Sequence, residues 1–205
     1  MNKDKGLLII ISGPSGAGKG TVCNAYLERH QETMMSISAT TRIPRFNEIE
    51  GVNYFFKNED TFNTMIDNGD FLEYAEVYGN YYGTPKKFVQ KQLLDGKDII
   101  LEIDIQGALQ VKERFDEGVF VFIVPPSMEE LKRRIVKRGT ENAEKLYKRF
   151  QSAYDELNFI NRYNYLVLND TVNNAVQKLE AIVTAERCRI SRNRDFYLSL
   201  QGGVK

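Results

Sequence analysis

Leu7-Leu8-Ile9-Ile10-Ile11-Ser12-Gly13-Pro14-Ser15-Gly16-Ala17-Gly18-Lys19-Gly20-Thr21 is the stretch that decides the fold. Leu7–Ile11 is short, continuously apolar and rich in β-branched residues, and Gly13-Pro14 stops it. That is the pattern of a strand buried on both faces. A helical pattern follows, with Val22, Ala25 and Tyr26 in reach of one apolar face. Between the two, the stem G-x-x-x-x-G-K runs from Gly13 to Lys19. Glycines let the backbone curl and turn its N–H groups inward around phosphate oxygens. The start of a helix adds a favourable dipole. Lys19 brings a mobile cation to the β- and γ-phosphates of a nucleoside triphosphate. A glycine-rich turn without a ligand is the competing reading, and the strand–loop–helix context argues against it. One departure stands out: the hydroxyl residue that usually follows the lysine is replaced by Gly20, with Thr21 one residue late. Position 20 therefore offers no Mg²⁺ ligand, and no direct protein ligand is expected with confidence. The metal is expected to be held by nucleotide oxygens and waters.

Outward from this loop the chain alternates. Ile99–Ile103, Val119–Val124 and Tyr165–Leu168 repeat the buried-strand pattern. Helical patterns cover Gln106–Arg114, Met128–Arg138 behind a Ser127 cap, and Val172 to about Arg189. Strands alternating with helices predict an α/β fold, a parallel sheet covered on both faces. The segment from 38 to 84 breaks the rhythm and reads as an inserted lobe. Strands are expected at Tyr54-Phe55-Phe56 and Phe71–Val77, with a short helix near Asp60–Asp67 between them. Asn80–Pro85 reads as a turn. Pro85 suits the first position of a helix ending at about Leu94, before Gly96. Residues 190–205 are polar and read as frayed or helix-extending.

Composition narrows the function classes. The 205 residues suffice for one domain with a sizeable core, and 42% hydrophobic with 27% charged residues is ordinary globular chemistry. Lys plus Arg and Asp plus Glu both number 28, giving a formal charge of zero, which argues against a general nucleic-acid or membrane binder. No stretch approaches the ~18 apolar residues of a membrane span. Leu7–Ile11 is too short for a signal-peptide core. A cytoplasmic location is the expectation. Cys23 and Cys188 form no metal or disulfide pattern and read as reduced thiols. A single histidine, His30, excludes Ser-His-Asp and multi-histidine metal chemistry and reads as a helix-end residue.

A triphosphate loop alone leaves the acceptor open. Ser38-Ala39-Thr40-Thr41-Arg42-Ile43-Pro44-Arg45 carries two arginines three apart in a proline-containing loop. Planar guanidinium groups suit phosphate. A solvated basic loop is the plainer reading in isolation; beside a phosphate loop, a second anion site is the better one.

Several motifs in order now resemble guanylate kinase, a P-loop nucleoside monophosphate kinase family. They are G-P-S-G-A-G-K at 13–19, T-T-R-x-P-R at 40–45, Gly79-Asn80-Tyr81-Tyr82-Gly83-Thr84, Ile103-Asp104-Ile105-Gln106-Gly107, Pro125-Pro126-Ser127 and Arg138-Gly139-Thr140-Glu141. The likeness covers about residues 5–187. A glycine directly after the lysine, as at Gly20, also occurs in nucleoside monophosphate kinases. The resemblance implies a three-layer P-loop fold with a parallel sheet core at about 1–37, 85–125 and 161–205, a GMP-binding lobe at about 38–84, and a helical lid at about 126–160. It implies transfer of the γ-phosphoryl group of Mg-ATP to GMP, and to dGMP, giving ADP and GDP, with Mg²⁺ accompanying ATP.

By the same resemblance, Gly13, Pro14, Ser15, Gly16, Ala17, Gly18, Lys19, Gly20 and Thr21 bind ATP phosphates and Asn169 lies near the adenine. Arg42, Arg45, Tyr54 and Tyr82 hold the GMP phosphate. Ser38, Glu73 and Thr84 read the guanine, and Asp104 stands near the ribose, base and reaction centre in a role left open. Arg134, Arg138 and Arg149 close over the ATP phosphates; with Lys19, Arg42 and Asp104 they form the expected catalytic set. Chemistry agrees: a carboxylate accepts from guanine N1–H and N2–H₂, while hydroxyls donate to O6. The plainer alternatives are an exposed strand carboxylate for Glu73, core packing for Tyr54 and Tyr82, and a solvated basic face for Arg134 and Arg138, four apart on one helix. Expected partners are ATP and GMP, with no nucleic acid or membrane; monomer and homodimer both remain open. The rival functions are the same chemistry on AMP or UMP, and a non-catalytic interaction module. The intact Gly13, Gly16, Gly18 and Lys19 argue against the module.

Overall fold

The structure is a computed structural model and describes residues 5–77, 79–115, 117–137 and 143–202. In chain order the elements are β1 (Leu8–Ser12), α1 (Lys19–Arg29), β2 (Met34–Met35), β3 (Ala39–Thr40), β4 (Phe55–Phe56), α2 (Glu59–Asp67), β5 (Phe71–Val77), β6 (Asn80–Pro85), α3 (Lys86–Leu94), β7 (Ile99–Glu102), α4 (Ile105–Arg114), β8 (Val119–Val124), α5 (Met128–Lys137), α6 (Ala143–Leu157), β9 (Tyr165–Leu168), α7 (Val172–Arg187) and α8 (Arg194–Gly202).

The central sheet has five parallel strands in the order β2-β7-β1-β8-β9. All five residues of β1 are buried, which is why the run reads without alternation. Its side chains nonetheless divide by parity. Ile9 and Ile11 pack with Val22, Cys23 and Tyr26 of α1 and Val176, Leu179 and Val183 of α7. Leu8 and Ile10 pack with Val89 and Leu93 of α3 and Ala108 and Val111 of α4. Strand geometry alone thus sorts one apolar run into the two faces of a three-layer fold. Burying a Val or Leu side chain in this way stabilises by about 1.5–3 kcal/mol.

Two further packing units sit beside this core. A four-stranded sheet, β4-β3-β6-β5, is built wholly from the inserted segment and has its own apolar cluster around Ala39, Phe62 and Phe71. The helices α5 and α6 close on each other through Leu131, Ile135 and Ala153.

Several sequence expectations are corrected. Asn80–Pro85 is a strand, not a turn: β6 pairs antiparallel with both β5 and β3, and its turn-forming residues lose to the pairing. Pro85 caps α3 from outside rather than opening it. The central sheet has five strands where four were legible; β2 is only two residues long and is held by its register with β7. The tail forms a separate helix, α8, after a short 3₁₀ turn at Ile190–Arg192. Cys23 is buried and Cys188 exposed, and both are free thiols. Among the described residues no helix is long and apolar enough to cross a membrane.

Asp98, almost wholly buried, ties the entry to β1 to the end of α7. It accepts from Leu7 N at 2.7 Å and from the Arg187 guanidinium at 2.6 Å. Asp98→Ala leaves a buried N–H without its acceptor. It should lower the unfolding free energy by about 1–3 kcal/mol in urea titration, with Asp98→Asn losing less because it keeps an acceptor for Leu7.

Candidate active site

The glycine-rich loop leaves the C-terminal end of β1 and delivers Lys19 as the first residue of α1. Gly18 caps that helix at φ 89°, a left-handed backbone that a side chain would strain. A Cβ there would also run into the Asn169 amide. Asn169 is buried and donates Nδ2–H to the Ala17 carbonyl at 2.8 Å, so it braces the loop from the end of β9. The Lys19 ammonium donates to the Gly13 and Pro14 carbonyls at 2.6 and 3.3 Å. Next to it, Gly20 has no room for a larger residue without adjustment: a Cβ would stand 3.2 Å from Oε2 of Glu102, at the end of β7. Glu102 is thus the carboxylate set against the position where the usual hydroxyl residue is replaced by Gly20.

Arg134 of α5 reaches the same loop. Its NH1 donates to the Ala17 carbonyl at 3.4 Å and its NH2 to the Asn169 carbonyl at 3.2 Å, while Nε donates to Glu130 at 2.7 Å. Hydrogen bonds from Arg133 and Arg134 hold the Glu130 carboxyl down to about 2. Gly16, Gly18, Thr21, Arg134 and residues 169–172 line a cavity of about 500 Å³ on this side. Arg149 of α6 donates to Ser15 Oγ at 2.9 Å. Seven residues on, and so on the same helix face, Glu156 accepts from the Ser15 backbone N–H. Burial pushes the Glu156 carboxyl up, opposed by the Ser152 hydroxyl, the Lys19 ammonium and that N–H. Arg138 and the motif at 138–141 lie outside the described residues.

On the other side of Glu102 a second cavity, about 170 Å³, is lined by Ser38, Tyr54, Glu73, Tyr82, Glu102 and Asp104. Five of the residues expected at an acceptor site therefore converge there from five different segments. Glu73 on β5 is 4% exposed and accepts from the Thr84 hydroxyl of β6 at 2.6 Å. Burial pushes its carboxyl up to about 7, with the Thr84 bond opposing and the Asp104 carboxylate adding. Gly107 at the start of α4 permits this packing, since a Cβ there would collide with Glu73 Oε2. Asp104 caps α4, accepting from Gly107 N at 2.7 Å with one oxygen while its residue fronts the cavity. Arg42 does not line the cavity but stands beside a residue that does: its guanidinium is 5.4 Å from the Tyr54 ring centre, and Tyr54 meets Tyr82 edge-on at 6.0 Å. Arg45 is exposed and does not line the cavity. Its backbone N–H, like the Arg42 guanidinium, goes to Glu48. Sequence reasoning passed over Glu48, Glu130 and Glu156, because a glutamate in a loop or on a charged helix reads as solvated.

Among the described residues no group of three or more His, Cys, Asp or Glu could hold a metal ion. The two cavities both border the neighbourhood of Glu102, which stands against Gly20 of the loop and lines the second cavity. One is floored by a phosphate-type loop with converging cations, and the other by a buried carboxylate–hydroxyl pair.

Comparison with known proteins agrees with this geometry. The guanylate kinase family model matches residues 5–186. The guanylate kinase of Caldanaerobacter subterraneus subsp. tengcongensis is 61% identical over 199 residues, covering 97% of both chains. That of Clostridium perfringens strain 13 is 60% identical, covering 95% of this chain and 92% of its own. The crystal structure of guanylate kinase from Anaplasma phagocytophilum superposes with a TM-score of 0.75 at 34% identity, covering 93% of this chain and 90% of that one. On the strength of the loop, the adjoining carboxylate pocket and likeness along nearly its whole length, the chain belongs to the guanylate kinase family.

Proposed function

We propose that the protein transfers the γ-phosphoryl group of ATP to GMP, giving ADP and GDP, and to dGMP, giving ADP and dGDP. The observation that carries this reading is the buried Glu73–Thr84 pair in a pocket next to the phosphate loop. Guanine brings N1–H and N2–H₂ to the Glu73 carboxylate and O6 to the hydroxyls of Ser38 and Thr84. Adenine turns an acceptor N1 toward that carboxylate, leaving buried polar groups unpaired, which supports discrimination of roughly 10⁴ or more.

The acceptor phosphate is held by Arg42, Tyr54 and Tyr82, with Arg45 swinging in from the loop. The donor phosphates lie in the loop amides of Gly13–Lys19, with Lys19 leaving its carbonyl partners to follow them. Arg134, Arg138 and Arg149 then add charge around the transferring group, and Arg42 is best placed to bridge donor and acceptor. The transition state spreads charge over equatorial oxygens, so position and cations carry the rate. No general base is required, since the attacking phosphate oxygen is ionised near neutral pH. Glu102 is the side chain best suited to bind waters of an Mg²⁺ ion, which would supply charge neutralisation between the phosphates. The second sheet and the α5–α6 pair act as a GMP-binding lobe (about 38–84) and a lid (about 126–160) on a core of the remaining residues. Their separate apolar clusters support this division. Closure excludes water that would otherwise hydrolyse ATP.

Initial rates with ATP against GMP, AMP and UMP test the reading: turnover should be confined to GMP and its deoxy form, and Lys19→Ala should abolish it. Equal rates on AMP would overturn the guanine assignment. Glu73 gives a second test with two opposite signs. Its carboxyl titrates at about 7 in the folded protein against an ordinary 4.5. The folded state therefore binds more protons between those values, and stability falls as pH rises through that window. Glu73→Gln should stabilise the empty protein above pH 7 by up to about 3 kcal/mol in urea titration, with no gain at pH 4. The same substitution should raise KM for GMP. It should also remove a pH dependence in which wild-type GMP affinity weakens up to about tenfold per unit below pH 7.

A further inference from the structure

The loop 43–47 has little to hold it: Ile43 is 83% exposed and Phe46 96%, and Asn47 takes a left-handed backbone at φ 73°. Yet the arginine at its start is fixed. The Arg42 guanidinium donates through NH1 to the Ile43 carbonyl at 2.9 Å and through NH2 to Glu48 Oε1 at 2.8 Å, with its plane near the Tyr54 ring. The other oxygen of the same carboxylate, Oε2, accepts from Arg45 N at 2.8 Å. A turn bond from Glu48 N to the Arg45 carbonyl at 3.0 Å folds the chain back so that the carboxylate can reach. Glu48 thus clasps both arginine positions, one by side chain and one by backbone, and replaces the apolar anchor that the loop lacks.

Resting on the acceptor-site reading above, we infer that Glu48 is a positioning residue for the acceptor phosphate. It holds the Arg42 guanidinium and the Arg42–Arg45 backbone in the shape that receives GMP. Glu48 does not line the acceptor cavity, so it acts from behind Arg42 rather than on the nucleotide. A guanidinium has five N–H donors; here Ile43 and Glu48 take one each from NH1 and NH2, and the Tyr82 hydroxyl takes a further one. Donors remain for a phosphate while the clasp is kept. The bond from Arg42 and that from the Arg45 N–H also hold the Glu48 carboxyl below the usual range, which keeps the clasp charged at neutral pH.

The opposite reading is that Glu48 competes with GMP for Arg42, and the two differ in sign. Steady-state kinetics of Glu48→Gln, Glu48→Ala, Arg42→Ala and the Arg42→Ala/Glu48→Gln double variant decide between them. Positioning predicts that Glu48→Gln raises KM for GMP about tenfold, and Glu48→Ala more, while KM for ATP stays within about twofold. It also predicts that the Glu48→Gln effect shrinks to less than about twofold in the Arg42→Ala background, which a purely structural role would not produce. An unchanged or lowered KM for GMP in Glu48→Gln, or an effect undiminished without Arg42, overturns the inference. If Arg42→Ala raises KM for GMP and Glu48→Gln does not, this inference fails alone. If Arg42→Ala itself leaves KM for GMP unchanged, the acceptor-site reading falls and this inference with it.

Discussion

Two nucleotides can exchange a phosphoryl group only if their like charges are brought within bonding distance. That requires fixed positive potential in a space closed to water. The protein raises it where a parallel sheet does so at least cost, at the C-terminal ends of its strands, where backbone amides and a helix start are turned to one side. The loop Gly13–Lys19 depends on close approach. Asn169 bears on the Ala17 carbonyl, a side chain at Gly18 would displace it, and Glu102 lies against Gly20. These contacts come from β9 and β7, strands on either side of β1 or beyond it, so the loop is only as ordered as the sheet beneath it.

The cations around that loop already have partners. Lys19 rests on carbonyls of its own loop, Arg134 on Glu130 and two backbone oxygens, Arg149 on Ser15, and Arg42 on Glu48. The bonds of Lys19 and Arg42 and that of Arg134 to Glu130 stay within one loop or helix, while Arg134 and Arg149 also reach across to Ala17, Asn169 and Ser15. Under the proposed function, the arrangement keeps these long side chains ordered before a substrate arrives, which reduces the ordering cost of binding. Glu156, which accepts from Ser15 N–H, shows the same logic with the charge reversed: a carboxylate of α6 engages an amide of the phosphate loop.

Glu73 is the expensive residue. A buried carboxylate whose hydrogen bonds come only from the hydroxyl and backbone N–H of Thr84 destabilises the empty fold, and its carboxyl rises to about 7 because burial outweighs them. Under the proposed function that cost is recovered when guanine donors reach it, so the least favourable burial in the second sheet is also the source of base selectivity.

The sequence by itself determined what local pattern can determine. The β1–loop–α1 unit, the buried run Val119–Val124, the long helices and the phosphate motif were legible because each is specified by neighbouring residues: apolar continuity, glycine spacing, capping. The inserted segment was legible in part: the strands at Phe55–Phe56 and Phe71–Val77 and the helix Glu59–Asp67 between them stand where the sequence put them. Its strand β6 carries Asn, Gly and Pro and reads as a turn; only pairing with β5 and β3 makes it a strand. The two-residue strands β2 and β3 have no period to read. Tertiary structure alone decided the neighbours of Glu102 and Glu156, which look like solvated charges until the fold sets Gly20 and the Ser15 amide against them, whereas Glu48 and Glu130 meet arginines of their own loop or helix. The physical reason is range. Backbone preference and apolar period act over a few residues and are written in sequence order, whereas a carboxylate's partner is set by which segments the sheet brings together.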